Sequence, residues 1–452
     1  MIAMPNLENA SALSQYVSST TERQLPPDVL DAARMCLADW LGVLVGAHAQ
    51  GAGIVARKVA SAWNAPGNAP VFQNGRQSPL ASALVNGTFA HCLDYDDTHL
   101  GCLAHLSGPT WAATLAMASE LGSSDMHALK AFVTGFETGA KLGGQDFGET
   151  ANKRGFHSTS VLGRFSAAAS VSSLMDLNEE QIVNAMGVAA TTAGGLVASF
   201  GTMGKPFHAG KAAMDGILAA QMAAGGFEAA KDLLETDGDT LASAFIQDNE
   251  VRISKLDFGG DWEIHNNTFK PYAACLLVHP TVESARDIGS QIAGRKLRSV
   301  TAKINPMVLR FAAKTEVNEP LEGKFSVAYC AALGLCGFDA SEQDFTQERL
   351  DNQDVQAVFN MVDVVTDESL TTTAASMTVS FEDGSDLTVD TPLARGNPGN
   401  PIGWDGMERK FMSLVEPVYG AQSETLFKLA REAGEGDGLT QIASMLADKK
   451  FH

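Results

Sequence analysis

The chain has 452 residues, 45% of them hydrophobic and 19% charged, and a formal net charge of −21. That length exceeds one ordinary core and the composition excludes a disordered chain, so two folded domains are expected. A surface this acidic disfavours nucleic acid and anionic membranes but not an anionic substrate, because screening over about 8 Å lets a few buried cations govern a pocket.

The first 17 residues lack a basic stretch followed by an apolar core, and no run reaches about 18 apolar residues, so a cytoplasmic protein is expected. Up to about residue 260 the pattern predicts helices. Segment 28–47 is apolar at helical spacing and follows Pro26-Pro27, a helix-start signal. Segments 79–95, 108–121, 126–142, 158–175, 179–196 and 208–226 have the same character, and Asn178 ahead of Glu179-Glu180 is an N-cap signal. Several of these helices are apolar on most faces, as expected inside a large bundle or at a subunit interface. After about residue 265 the pattern changes. Segment 297–309 alternates and is β-branched, and 375–392 reads as a hairpin around Glu382-Asp383-Gly384-Ser385, with 317–337 and 342–362 helical between them. Residues 395–401, rich in Pro and Gly, form a linker before helices at 403–418 and 422–449. The expectation is a mainly α protein. A large all-helical domain (1–265 plus 400–452) receives a smaller α+β lid domain (266–399) before its C-terminal helices, and the cleft between them is the natural site.

Six cysteines, Cys36, Cys92, Cys102, Cys275, Cys330 and Cys336, are scattered without a C-x-x-C pair. That suits a reduced compartment and disfavours a cysteine-bound zinc or iron–sulfur centre. Four polar constellations stand out. The first runs from His91 through Asp94, Asp96, Asp97, Thr98 and His99 to His105. On a continued helix His91, Asp94 and Thr98 share a face, while Asp96 and Asp97 fall elsewhere, solvated or bound to backbone. The bland alternative is a helix end dressed with polar residues, and a metal is not expected without H-E-x-x-H-like spacing. The second places His157 just ahead of the Ser/Thr-rich start of the 158–175 helix, where free N–H groups favour an anion and keep imidazole neutral as a base; the alternative is a simple capping histidine. The third is Gly201 to Lys211, in which Lys205 precedes Pro206 and is expected to be extended, in neither a P-loop nor a dinucleotide fingerprint. Taken alone, a surface lysine is the plainer reading. The fourth is Lys270-Pro271-Tyr272, with Tyr329 in a separate apolar segment, where a phenol commonly satisfies a backbone carbonyl. No G-x-S-x-G elbow or Cys/His protease signature supports acyl transfer.

Taken in order, LADWLGVLVGA, N-G-T-x-A-H-x-L-D-Y-D-D-T, H-L-S-G-P, G-F-H-S-T-S-V, G-x-x-x-K-P-F-H-A-G, K-P-Y-A-A-C and A-R-G-N-P-G-N-P-I-G-W-D resemble the MmgE/PrpD family along nearly the whole chain. Members include 2-methylcitrate dehydratase, cis-aconitate decarboxylase and iminodisuccinate epimerase. The resemblance implies a helical domain with an α+β lid, a homodimer, no metal or organic cofactor, and a small di- or tricarboxylate as substrate. It carries over Asp94, Thr98, His105, His157, Lys205, Lys270 and Tyr329. In the mechanism it implies, Lys205 and Lys270 hold carboxylates, and His157 or His105 moves a carbon-bound proton. Asp94 orients a histidine, and Tyr329 or Thr98 supplies the second proton or binds the leaving group. The expected activity is a hydro-lyase of the 2-methylcitrate dehydratase kind. The alternatives are an iminodisuccinate-like epimerase, a cis-aconitate-like decarboxylase, or an inactive dimer that only binds a polycarboxylate.

Overall fold

The computed structural model describes residues 7–144, 146–247 and 252–449. The first six residues, part of the stretch without a leader pattern, lie outside them. The protein is mainly α, with a smaller α+β portion. Its chain divides into two units. One draws on the chain up to Cys92, on Asp96–Thr268 and on the chain from Met407; the other comprises Leu93–Tyr95 and Phe269–Gly406.

In the first unit the helix Gly204–Ala224 lies against Pro79–Ala90, Ser107–Leu121, Ser158–Leu174 and Glu179–Thr192. Every residue of Ser158–Leu174 is buried, which its mixture of Ala, Ser, Val and Leu on all faces dictates. Small residues set how closely these helices approach. A Cβ on Gly210 would meet Leu84 O at 2.2 Å, and one on Gly216 would meet the Ala167 side chain at 2.3 Å, so any larger residue would push the helices apart. Asn178 is the N-cap of Glu179–Thr192 in a full capping box with Gln181.

The helix beginning at Pro79 is N-capped by Ser78 and ends at Ala90, not near residue 95. His91 is its C-cap, and Asp94 turns into the left-handed region at φ 53°. The shared helical face expected for His91, Asp94 and Thr98 therefore does not exist. Thr98 and His99 instead pair antiparallel with Thr268 and Asn267.

In the second unit four strands lie in the order Val362–Thr366, Leu297–Ile304, Ala375–Phe381, Asp386–Thr391. The hairpin 375–391 forms as its alternation requires, with buried and half-buried positions strictly alternating along Ala375–Phe381. The strand Leu297–Ile304 stops there because Asn305-Pro306 opens a 3₁₀ turn. Val362, expected at the end of a helix over 342–362, instead opens a β-branched strand, Val362–Thr366, parallel to Leu297–Ile304. The helices His279–Gln291 and Val327–Leu335 pack together, the former also against the hairpin. No helix among the described residues is long and apolar enough to cross a membrane. All six cysteines are thiols rather than halves of disulfides, and four of them are buried.

Candidate active site

Three helix ends of the first unit bring their polar residues together. The close crossing of Pro79–Ala90 with Gly204–Ala224 sets His91, at the end of one helix, beside Lys205 and His208 in the first turns of the other. The third end is His157, the residue before Ser158–Leu174; its N–H donates to Gly195 O at 3.0 Å. His105 enters from the loop after Thr98, its backbone N–H donating to Thr159 Oγ1 at 3.0 Å. Lys205 is not extended. Gly204 and Lys205 already belong to the helix, and Pro206 sits in the first turn, where its missing N–H costs nothing.

The four imidazoles form one buried cluster. His91 stacks on His157 with centroids 5.7 Å apart and planes 18° apart, and meets His105 edge-on at 4.6 Å. His157 Nδ1 lies 3.0 Å from His208 Nδ1. Phe200 packs against the edge of His157 at 4.9 Å, and Lys205 Nζ sits 5.3 Å from the same phenyl ring. His157 makes no side-chain capping bond, so the plain helix-cap reading does not describe it.

One carboxylate organises two of these rings. Asp96 Oδ2 is 2.8 Å from His91 Nδ1 and 3.2 Å from His105 Nδ1. Burial alone would raise this carboxyl, but His105 and His91 hold it well below the usual carboxylate range. An ionised Asp96 only accepts, so both Nδ1 atoms donate. His91 Nε2, the other side of that ring, is buried without a hydrogen-bond partner among the described residues. Burial lowers His91 to about 4; Asp96 opposes this and Lys205 reinforces it. Burial likewise drives His157 well below its ordinary value, with His91, Lys205 and His208 adding to the shift. His208 is lowered to about 4 by burial, then by His91 and Arg164. Three imidazoles are thus neutral at pH 7 and gathered near a lysine. Such a group accepts a proton readily once an anion supplies compensating charge.

The loop carrying Asp96 is anchored from behind. Asp97 N–H donates to Asp39 Oδ2 at 2.9 Å, and Asp39 Oδ1 receives Lys410 Nζ at 2.5 Å. Ser107 Oγ and Asn267 Nδ2 donate to Asp97 Oδ2 at 2.5 and 2.6 Å. Burial, then the Asp39 carboxylate, pushes Asp97 up to about 7. Asp96 and Asp97 are therefore both fully buried, not solvated as their helical phase suggested.

Of the residues singled out in the sequence, His157, His105, Thr98 and Lys205 all belong to the first unit, and Thr98 Oγ1 is 3.4 Å from His105 Nδ1. Asp94, Lys270 and Tyr329 belong to the second. There Lys270 Nζ donates to Asp94 O at 2.6 Å and lies 3.3 Å from Asp94 Oδ1. Tyr329 is 1% exposed, and burial raises its phenol well above the usual range. Sequence reasoning passed over Asp96, His208 and the role of His91. The signal for Asp96 was present in the D-Y-D-D-T run, but an assumed helix put it on the wrong face. His91, Asp96 and His105 are also the group among the described residues whose donor atoms, within 4.8 Å of one another, fit a metal ion. Those same atoms already satisfy one another by hydrogen bonding.

Residues 11–254 match the family model of the MmgE/PrpD N-terminal domain, and residues 272–433 match that of the C-terminal domain. The cis-aconitate decarboxylase-like protein oryM of Aspergillus oryzae is 26% identical, over 96% of each chain. A cis-aconitate decarboxylase of Aspergillus terreus is 26% identical over 86% of each chain, and that of Homo sapiens is 24% identical over 82% of this chain and 80% of its own. With both domain models matched in order across most of its length, the chain belongs to the MmgE/PrpD family.

Proposed function

We propose that the protein is a lyase of small polycarboxylic acids, working without a cofactor as a cytoplasmic homodimer. It moves a proton at the carbon beside a carboxylate. The observation that carries this reading is the gathering of His91, His105, His157 and His208 around Asp96 and Lys205 in one buried cluster. Lys205 fixes a substrate carboxylate as a point charge, and His157 handles the proton, with His105 as the second proton carrier. A bound polyanion raises the depressed imidazoles and lets one of them take up a proton on binding.

Loss of carbon dioxide from an acid resembling cis-aconitate is the favoured reaction, because the relatives named above carry that activity in their names. The bond to the departing carboxylate breaks and its electron pair stays on carbon, conjugated with the neighbouring carboxylate. A ring N–H of the cluster then hands its proton to that carbon. The dehydration expected from sequence takes second place. Its support is the Thr98 hydroxyl 3.4 Å from His105 Nδ1, a pairing suited to a leaving hydroxyl. The test incubates the purified chain with citrate-like, aconitate-like and succinate-like acids in deuterium oxide, followed by NMR. Carbon-bound deuterium with loss of carbon dioxide supports the favoured reaction, and deuterium with loss of water supports the second. Binding without exchange or turnover by any acid overturns the reading in favour of a binding protein. Alanine at His157 or at Lys205 is expected to lower turnover by about a hundredfold or more.

A further inference from the structure

His157 and His208 face each other Nδ1 to Nδ1 at 3.0 Å, and that geometry constrains where protons can be. A hydrogen bond between two ring nitrogens needs one donor and one acceptor, so a single proton lies between them. Each ring is held neutral by burial, so its second nitrogen takes the complementary state. When His157 donates, its Nε2 carries a lone pair and can act as a base; when His208 donates, His157 Nε2 carries a proton and can act as an acid. The identity of the group facing the substrate is therefore written in the position of one shared proton. His208 is less enclosed than His157, at 8% against 3% exposure, and its neighbour Phe207 is 44% exposed. The contact is held tightly. Gly195, at φ 119°, receives the His157 N–H, and a Cβ there would meet Ser160 Oγ at 2.4 Å and His208 Cδ2 at 3.5 Å.

We infer that His208 is a proton-relay residue, connecting the substrate-facing imidazole of His157 to water through their shared Nδ1–Nδ1 hydrogen bond. The inference rests on the proposed proton chemistry at His157. In the abstraction direction the carbon-bound proton goes to His157 Nε2, and the His157 Nδ1 proton crosses to His208 Nδ1. The His208 Nε2 proton leaves to water. Both rings end neutral in the opposite tautomer, the substrate holds the electron pair, and water holds the proton. Run backwards, the same shift delivers a proton from water to carbon. The pair returns to its starting state once His157 Nε2 and His208 Nε2 exchange protons with water after product release. His208 acts through His157 and touches no substrate in this scheme.

Two measurements on the full chain test it. In the ¹⁵N NMR spectrum of the imidazoles, one Nδ1 of the pair should be protonated and the other not, with a coupling across the hydrogen bond. Both Nδ1 atoms protonated, or no coupling, overturns the shared proton. The second measurement compares deuterium wash-in and turnover for His208→Ala and His208→Gln. Glutamine keeps the volume and one hydrogen bond to His157 but cannot pass a proton on. Both variants should lose about tenfold or more in wash-in and turnover. Added imidazole should restore His208→Ala, whose cavity can accept it, and leave His208→Gln unchanged. Wild-type rates in His208→Gln, or a loss in His208→Ala that imidazole does not rescue, overturns the relay alone. No wash-in by the wild-type protein with any acid overturns the proposed function and the relay with it.

Discussion

Replacing Asp96 by asparagine removes one charge at the centre of the cluster and almost no volume. Asp96 Oδ2 accepts from His91 Nδ1 at 2.8 Å and from His105 Nδ1 at 3.2 Å, and it can do both because an ionised carboxylate never competes as a donor. An asparagine that turns its amide NH₂ toward the rings forces both Nδ1 atoms to become acceptors and moves their protons to Nε2. An asparagine that turns its oxygen inward keeps the bonds but halves their strength, since charge-assisted bonds are roughly twice as strong as neutral ones. Fixing the wrong tautomer of a working histidine costs on the order of a thousandfold or more where a buried carboxylate orients it. Turnover of Asp96→Asn should therefore fall by about three orders of magnitude. Stability should move in neither direction by more than about 1 kcal/mol, because the desolvation of a buried anion disappears together with its two ion-assisted bonds. The assay pairs steady-state turnover on the best acid of the panel with urea unfolding of the same preparation. Turnover within threefold of wild type would refute the reasoning. So would a loss of activity matched by loss of the folded state.

His91, lowered to about 4 when folded, binds its proton more weakly than in the unfolded chain, so the unfolded state holds more protons between about pH 4 and 6.5. Its contribution is fully present above about pH 6.5 and is lost as pH falls, by roughly 3 kcal/mol at the acid end. His91→Gln should flatten that slope in urea titrations between pH 4 and 7. Asp97 works with the opposite sign. Its carboxyl, raised to about 7, favours the folded state at low pH and loses that advantage as pH rises through 7. Asp97→Asn should thus gain stability relative to wild type at pH 8 compared with pH 5; a constant difference across that range would contradict the buried, like-charged pairing with Asp39. Treatment with a strong chelator should leave turnover unchanged, because the donors of the His91–Asp96–His105 group are engaged with one another. A loss restored by zinc would assign the group to a metal instead.

The helical architecture was legible wherever apolar residues recur without interruption. The segments beginning at 28, 108, 126, 158 and 179 start within a residue of the observed helices, and the Asn178 cap is in place. Elements set by a distant partner rather than by a local pattern were not legible. The strand Val362–Thr366 is defined by its parallel partner Leu297–Ile304, some sixty residues away, and local pattern holds no trace of that pairing. The site shows the same division. His157 and Lys205 were visible as polar residues just ahead of helices, and Thr98 and His105 through the family resemblance. Asp96 and His208 were not, because the helix ends at Ala90 and the loop after it changes the phase of every following side chain. Likewise His208 sits three residues past a lysine that was expected to be extended but is helical, which turns His208 toward His157.

Calorimetry of polycarboxylate binding near pH 7, in two buffers of different ionisation enthalpy, probes the neutral imidazole cluster most directly. The wild-type protein should take up about a quarter of a proton for each tricarboxylate bound if the entering charge lifts one depressed histidine to its ordinary value, and His157→Ala should take up measurably less. Tight binding with no proton uptake, or uptake identical in wild type and His157→Ala, would contradict the account.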